Sequence, residues 1–346
     1  MTDPDGAGPG GAEWLVPDSL WWDGRLRTGE ALRVRGGVAT PAPVGDIPRA
    51  AVRRRLPGSV LPGLRDAHVH SALVDLATVR AGGIAAVWDL GGVPEKVSHL
   101  AERARRRGSG LPRVRLAGPF LIAPGGYPSD RPWAPAGSWR EVRSADDAAE
   151  AVGEARAGGA TLIKVTAHAG GPMLAAKTLR AVVEAAHASG LPVVVHAEGP
   201  GTVAAAYEAD ADMLAHTPWT EDVDDGLLRA SARMTWISTL DIHGWGEPTP
   251  AQGTAIGNLR RFLEYGGTVR YGTDLGNGPL PPGVNRREIR ALQAAGLTPG
   301  DIVAAMTEPD QAEPSWIAGG LDLDPGRFAD VLATARVVGP EVRPRS

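Results

Sequence analysis

"LPGLRDAHVH", residues 61–70, ends a hydrophobic stretch with two histidines separated by one valine. In a β-strand the side chains alternate between faces, so His68 and His70 point the same way, about 6–7 Å apart. Imidazoles placed like that can grip one metal ion from one side. They can equally be polar residues where a strand leaves the core, and the rest of the chain has to decide.

Outward from this stretch the chain has a rhythm. Short apolar runs alternate with amphipathic segments: "IAAVWDLGG" then a helix over 94–107, "RVRLAGPFL" then 144–157, "TLIKVTA" then 175–189. There follow "PVVVHAEG" with 201–209, "DMLAHT" with 221–231, "TWISTL" with 253–265 and "TVRYGTDLG" with 284–295. In the 175–189 segment Leu179, Val182, Val183 and Ala186 fall at i, i+3, i+4 and i+7, and Gly190 follows as a stop. With the strand at 63–70 this makes eight strand–helix units, which predicts a (β/α)8 TIM barrel over 63–319. Before it, "SLWWDGRLRTGEALRVRGGVAT" reads as short strands divided by glycine turns. After it, "GRFADVLATARVV" returns to strand-like alternation. Residues 13–62 and 320–342 are therefore expected to build a small β-sandwich domain from both chain ends. Residues 1–12, rich in Gly and Pro, are expected to be disordered.

Composition narrows the chemistry. At 346 residues the chain can hold one large domain or two modest ones, and 43% hydrophobic content with 22% charge fits a soluble globular protein. A net charge of −4 gives no basic excess, so nucleic acid and anionic membrane are not expected partners. The N-terminal residues lack the pattern of a signal peptide, and no apolar run is long enough to span a bilayer, so a cytoplasmic location is expected. There are no cysteines. That removes disulfides, thiolate nucleophiles and Cys-held zinc, and any metal must be held by His and carboxylate. Of the 36 basic residues only Lys96, Lys164 and Lys177 are lysine. Lys164 sits inside the apolar "TLIKVTA", where an amine must do something that guanidinium cannot.

Barrel enzymes build their active sites at the C-terminal ends of the strands. There the sequence places His68 and His70 on the first strand, Lys164 on the fourth, His196 on the fifth, His216 on the sixth and Asp274 on the eighth. Four imidazoles and a carboxylate suit zinc or a similar first-row divalent ion. Two such ions about 3.5–4 Å apart can share a hydroxide, and they need an anion to bridge them. A lysine amine that captures carbon dioxide becomes a carbamate able to do so. The other reading of Lys164 is an ion pair with a nearby carboxylate.

These residues carry a resemblance. "LPGLRDAHVH", Lys164, His196, His216 and "YGTD" ending at Asp274 resemble the metal-dependent amidohydrolase superfamily, and "DPGRFADVL" (324–332) is similar to its "PGKxADxV" signature. The resemblance implies a binuclear centre in which His68, His70 and Asp274 hold one ion and His196 and His216 the other. N6-carboxylated Lys164 would be the bridging ligand. It also implies hydrolysis of a carbon–nitrogen bond by a metal-bridging hydroxide, with Asp274 as the catalytic proton carrier. "GGIAAVWDLGG", "GPFLIAPGGY", "GGATLIKVTAHAGG" and "VVVHAEG" resemble the branch of imidazolonepropionase-like proteins and Xaa-Pro or Xaa-Arg dipeptidases. Tyr127 and His168 stand where that branch carries "TGGH" and "KIxxSGG".

The expected substrate is an N-acyl amino acid or a dipeptide-like small molecule. A cyclic amide (lactam, imide or imidazolone) is the alternative, with deamination and a non-catalytic binding barrel behind it. A homo-oligomer is expected. Tyr127, His168 and His243 are candidate substrate contacts, although His168 can also serve loop packing and His243 a turn. Trp245 can shape the pocket, and Asp66 is expected to orient the ligands. Arg270 lies about 13 Å back along its strand from Asp274 and reads as structural. His99 and His187 read as solvated helix residues.

Overall fold

The computed structural model describes residues 12–35, 38–106, 108–308 and 313–339. The expectation for 1–12 thus lies outside the described residues except at its last position. The fold is mixed α/β. Leu64–Val69, Ile84–Asp89 and Arg113–Leu116 form a parallel three-stranded sheet in that order. A second parallel sheet runs Trp139–Glu141, Phe120–Ile122, Ile163–His168, Val193–Glu198, Met213–Leu214, Thr235–Ile237, Thr268–Arg270. Backbone hydrogen bonds tie both edges of the three-stranded sheet to the segment that precedes the Ile163–His168 strand of the larger one or to the segment that follows its last strand. Ala67 N donates to Tyr271 O (2.9 Å) and His70 N to Leu275 O (2.8 Å), while Thr161 N donates to Leu116 O (2.9 Å).

Each of the eight expected strands is followed by a helix: Leu76–Ala81, Pro94–Arg105, Ala145–Ala157, Ala176–Ala188, Thr202–Glu208, Asp225–Ala230, Pro250–Glu264 and Arg286–Ala294. Strands covered on both faces read as unbroken apolar runs, and the two faces pack differently. Ile163, Val165, Val193 and Val195 join the large core made with the helices, including Val182, Val183 and Ala186. Leu162 and Val194 point the other way, into a separate cluster with Trp88, Met213 and Ile237. By the two-residue period, Lys164 and His196 share the face of Leu162 and Val194.

Strands from both chain ends form one further sheet, in the order Arg336–Val337, Ser315–Ile317, Val52–Leu61, Glu13–Trp22, Glu30–Arg35, Val38–Pro43, with Arg25–Arg27 on Glu13–Trp22. It recruits Ser315–Ile317 as well, ahead of residue 320. The tail corrects the sequence reading. Pro325–Leu332 is a helix, not a strand, and only Arg336–Val337 pairs. Asp324 caps this helix by accepting from Gly326 N and Arg327 N, and Phe328, Ala329 and Leu332 fill its buried face. Their i, i+1, i+4 spacing is helical, and the alternation read across 326–338 was the weaker pattern. A second unpredicted helix, Pro299–Met306, starts in a capping box between Thr298 and Asp301.

Candidate metal centre

The first strand is fastened to the segment carrying Asp274 by a buried carboxylate. Asp66 Oδ1 accepts from His68 N and Thr273 N (both 3.0 Å), and Oδ2 accepts from Thr273 Oγ1 at 2.5 Å. Burial raises the Asp66 pKa to about 7 against these bonds. Gly272 lets the two segments touch, since a Cβ there would stand 2.3 Å from Ile237 and 3.1 Å from His68 N. Asp274 follows at φ +58°, a left-handed conformation uncommon for a residue with a Cβ.

The histidine tautomers follow from their partners, because a carbonyl or carboxylate oxygen can only accept. His68 Nδ1 donates to Ala215 O (2.8 Å) and His70 Nδ1 to Gly91 O (3.0 Å). Each neutral ring then keeps a lone pair on Nε2. Both Nε2 atoms lie 3.1 Å from Asp274 Oδ1, and that buried oxygen has no hydrogen-bond donor. Two imidazole lone pairs and a carboxylate oxygen repel unless a proton or a cation stands among them. Burial holds the His68 pKa well below its usual value. Burial lowers that of His70 too, but the Asp274 carboxylate overcomes this and raises it. Asp274 Oδ2 is held by Asn277 Nδ2 (2.9 Å).

On the other side His196 Nε2 donates to Glu198 Oε2 (3.0 Å), which leaves the ring's lone pair on Nδ1. His216 Nδ1 pairs with Thr239 Oγ1 (2.9 Å). The His216 ring centroid stands 4.7 Å from that of His68 and 4.9 Å from that of His196. Ligand-capable atoms of His68, His216 and Asp274 fall within 4.8 Å of one another. Lys164 is 1% exposed, and burial lowers its pKa to about 7, opposed by the more distant charges of Asp274 and Asp89. Among the described residues no carboxylate stands within ion-pair reach of it, so the ion pair read as an alternative does not form.

All six expected positions, His68, His70, Lys164, His196, His216 and Asp274, line one cavity of about 220 Å³. A buried set of imidazole nitrogens, a carboxylate and a desolvated amine fits divalent metal in its donor types. Glu198 and Thr239 supply the outer hydrogen bonds that orient such ligands. The sequence reading gave neither this role, because it depends on which ring nitrogen faces which neighbour.

The expected substrate contacts divide. Tyr127 lines the cavity and stacks on His196, ring centroids 4.8 Å apart. Burial pushes its hydroxyl pKa up. His168 stands behind Tyr127 at 5.1 Å between centroids, its Nδ1 3.0 Å from Glu198 Oε2 but out of hydrogen-bond alignment. His243 lies beside the cavity rather than in its lining, stacked on Trp219 at 4.7 Å, and burial takes its pKa down to about 4. Phe120 and Trp133 join the lining without having been anticipated. Arg270 is structural as expected, ion-paired with Glu308 and set over Trp88 at 4.9 Å. His99 is exposed, and His187 pairs with Asp212 at the surface (2.9 Å).

No family model matches the sequence, and no curated protein matches it. Solved structures do match. Ochratoxinase from A. niger superposes at a TM-score of 0.76 with 18% identity, covering 94% of this chain and 93% of that one. An Xaa-Pro dipeptidase with methionine bound in its active site gives 0.74 and 16%, over 93% and 96%. A solved amidohydrolase gives 0.75 and 18%, over 96% and 100%. The chain has the amidohydrolase fold. Within the amidohydrolase fold, then, this chain brings four histidines, an aspartate and a buried lysine to one cavity.

Proposed function

We propose that this chain is a metal-dependent hydrolase that cleaves the carbon–nitrogen bond of amides, its substrates being N-acyl amino acids or dipeptide-like small molecules. The observation that carries the reading is Asp274 Oδ1, buried and 3.1 Å from the Nε2 atoms of both His68 and His70, whose lone pairs repel it whenever the two rings are neutral. A divalent cation converts that repulsion into ligand bonds. His68, His70 and Asp274 would hold one ion, His196 and His216 a second, and Lys164 as a carbamate would bridge them. A pKa of about 7 supports the carbamate, because the neutral amine is the form that attacks carbon dioxide, losing a proton as the anion forms. Zinc suits a cysteine-free nitrogen and oxygen set. In this reading the two parallel sheets close as one (β/α)8 barrel over 63–319, and 13–62 with 320–342 make the small β-domain. The edge bonds Ala67 N to Tyr271 O and Thr161 N to Leu116 O support closure.

Bound divalent ions would acidify water and polarise the scissile carbonyl. The chain's own groups do the rest. The Asp274 carboxylate accepts the proton of the attacking water and delivers it to the departing nitrogen, with Asn277 fixing its second oxygen. Glu198 holds the His196 tautomer. Tyr127 covers the cavity wall and meets the substrate, and His168 and His243 border that space. The low-identity neighbours support the substrate class, since one of them is an Xaa-Pro dipeptidase that binds an amino acid in its active site.

The test is a hydrolysis screen of N-acyl amino acids, dipeptides and cyclic imides with the zinc-loaded chain and its Asp274→Asn variant. Amide hydrolysis that Asp274→Asn reduces by about 10²-fold or more is expected. No turnover of any amide, or turnover equal in the variant, refutes the reading.

A further inference from the structure

The cavity is small for an amide hydrolase to enclose its whole substrate. At about 220 Å³ it falls below the ~300–1,000 Å³ of ordinary small-molecule sites. It has room for the reacting amide and its water, each water taking about 30 Å³, and little else. The rest of a larger substrate must lie at the mouth.

Two lining residues, Leu73 (52% exposed) and Trp133 (43%), keep large apolar side chains in solvent. Trp245, 46% exposed, packs against Gly278 of the lining, where a Cβ would stand 2.7 Å from the indole Nε1. Trp133 is held in place. Its ring centroid lies 6.3 Å from those of His70 and Phe120 and 6.1 Å from that of Tyr127, so it continues the aromatic wall that runs on to His196. The loop that carries it is turned by Ser129 N to Gly126 O (2.9 Å), Arg131 N to Pro128 O (2.9 Å) and Ala134 N to Arg131 O (3.1 Å).

We propose that Trp133, with Leu73 and Trp245, forms a subsite at the cavity mouth that takes a planar aromatic group of the substrate. Naming the ligand an amide rests on the hydrolase reading, while the subsite itself is read from the wall. Exposed indoles beside a preformed cavity offer flat faces on which a ring stacks and loses water.

The experiment is titration calorimetry on the full chain as purified, with 2-naphthylacetamide and butyramide, which share a primary amide and differ in the ring. The naphthyl compound binds about tenfold or more tightly. Trp133→Ala removes most of that ratio, Trp133→Phe keeps most of it, and Trp245→Ala gives a smaller drop. Equal affinity for the two amides overturns the proposal, as does no measurable binding of the naphthyl compound. So does a ratio that survives both alanine variants. Turnover is scored separately on N-acyl derivatives. Ring preference without hydrolysis refutes the hydrolase reading and leaves the subsite standing, and hydrolysis without ring preference does the reverse.

Discussion

Glu288 offers a test of the scaffold behind the loop that carries His243. It is fully buried, and its two oxygens accept from Leu240 N (3.0 Å) and Asp241 N (2.7 Å). Burial raises its pKa from 4.5 to about 8, against the hydrogen bonds it accepts. A raised carboxyl pKa means that the folded chain keeps a proton that the unfolded chain releases. Stability from this group is therefore complete below the unfolded pKa and is lost as pH climbs through the window from 4.5 to about 8. The slope is about 1.4 kcal/mol per pH unit, so between pH ~5 and ~7.5 the loss is roughly 3 kcal/mol. Glu288→Gln abolishes this slope while adding a pH-independent cost of about 1–3 kcal/mol, because its amide turns a donor toward one of the two backbone N–H groups. The assay is urea unfolding of both proteins across that range, and the difference between them cancels the other titrating groups. A wild-type minus variant difference that stays flat from pH ~5 to ~7.5 would refute the reasoning.

Thr239→Val removes the hydroxyl that pairs with His216 Nδ1. Metal affinity should fall about 10–100-fold in a chelator competition, beside a stability cost of about 1–3 kcal/mol for the buried ring nitrogen left unpaired. Gly272→Ala places a methyl 2.3 Å from Ile237 and 3.1 Å from His68 N. It should cost about 1–3 kcal/mol in chemical denaturation and weaken metal binding as His68 shifts. Reloading of metal-stripped protein should improve with bicarbonate as pH rises through about 7, where the Lys164 amine becomes neutral. In Lys164→Arg elemental analysis should show that dependence gone, since guanidinium forms no carbamate.

Much of the candidate centre was legible because it rests on strand parity, a property of sequence spacing. Apolar runs such as "TLIKVTA" and "PVVVHAEG" announce strands covered on both faces, and a lone polar residue near the end of such a run stands out. The helix at Ala176–Ala188 matched for a similar reason, its buried Leu179, Val182, Val183 and Ala186 lying at the spacing of one helical face. What stayed hidden depends on the third dimension. Pro325–Leu332 carries too few apolar residues to separate a short helix from a strand until Asp324 is seen capping it. The clamp of Asp66 on Thr273 spans 207 residues, and no spacing rule reaches that far. Tyr127 and His168 both looked like pocket residues, yet the ring of Tyr127 lines the cavity and His168 backs it. Trp133 lies in a loop without periodicity, and only folding shows that it faces His70.

The central claim is that cations belong among Asp274 Oδ1, the four imidazoles and a carboxylated Lys164. The most direct measurement is a crystal structure of the chain grown with zinc and bicarbonate, with anomalous data at the zinc edge. The account predicts two peaks in the cavity, about 3.5–4 Å apart, and carbamate density beyond Lys164 Nζ reaching toward both. A bare amine at Lys164, with no anomalous density beside His68, His70, His196 or His216, would contradict it.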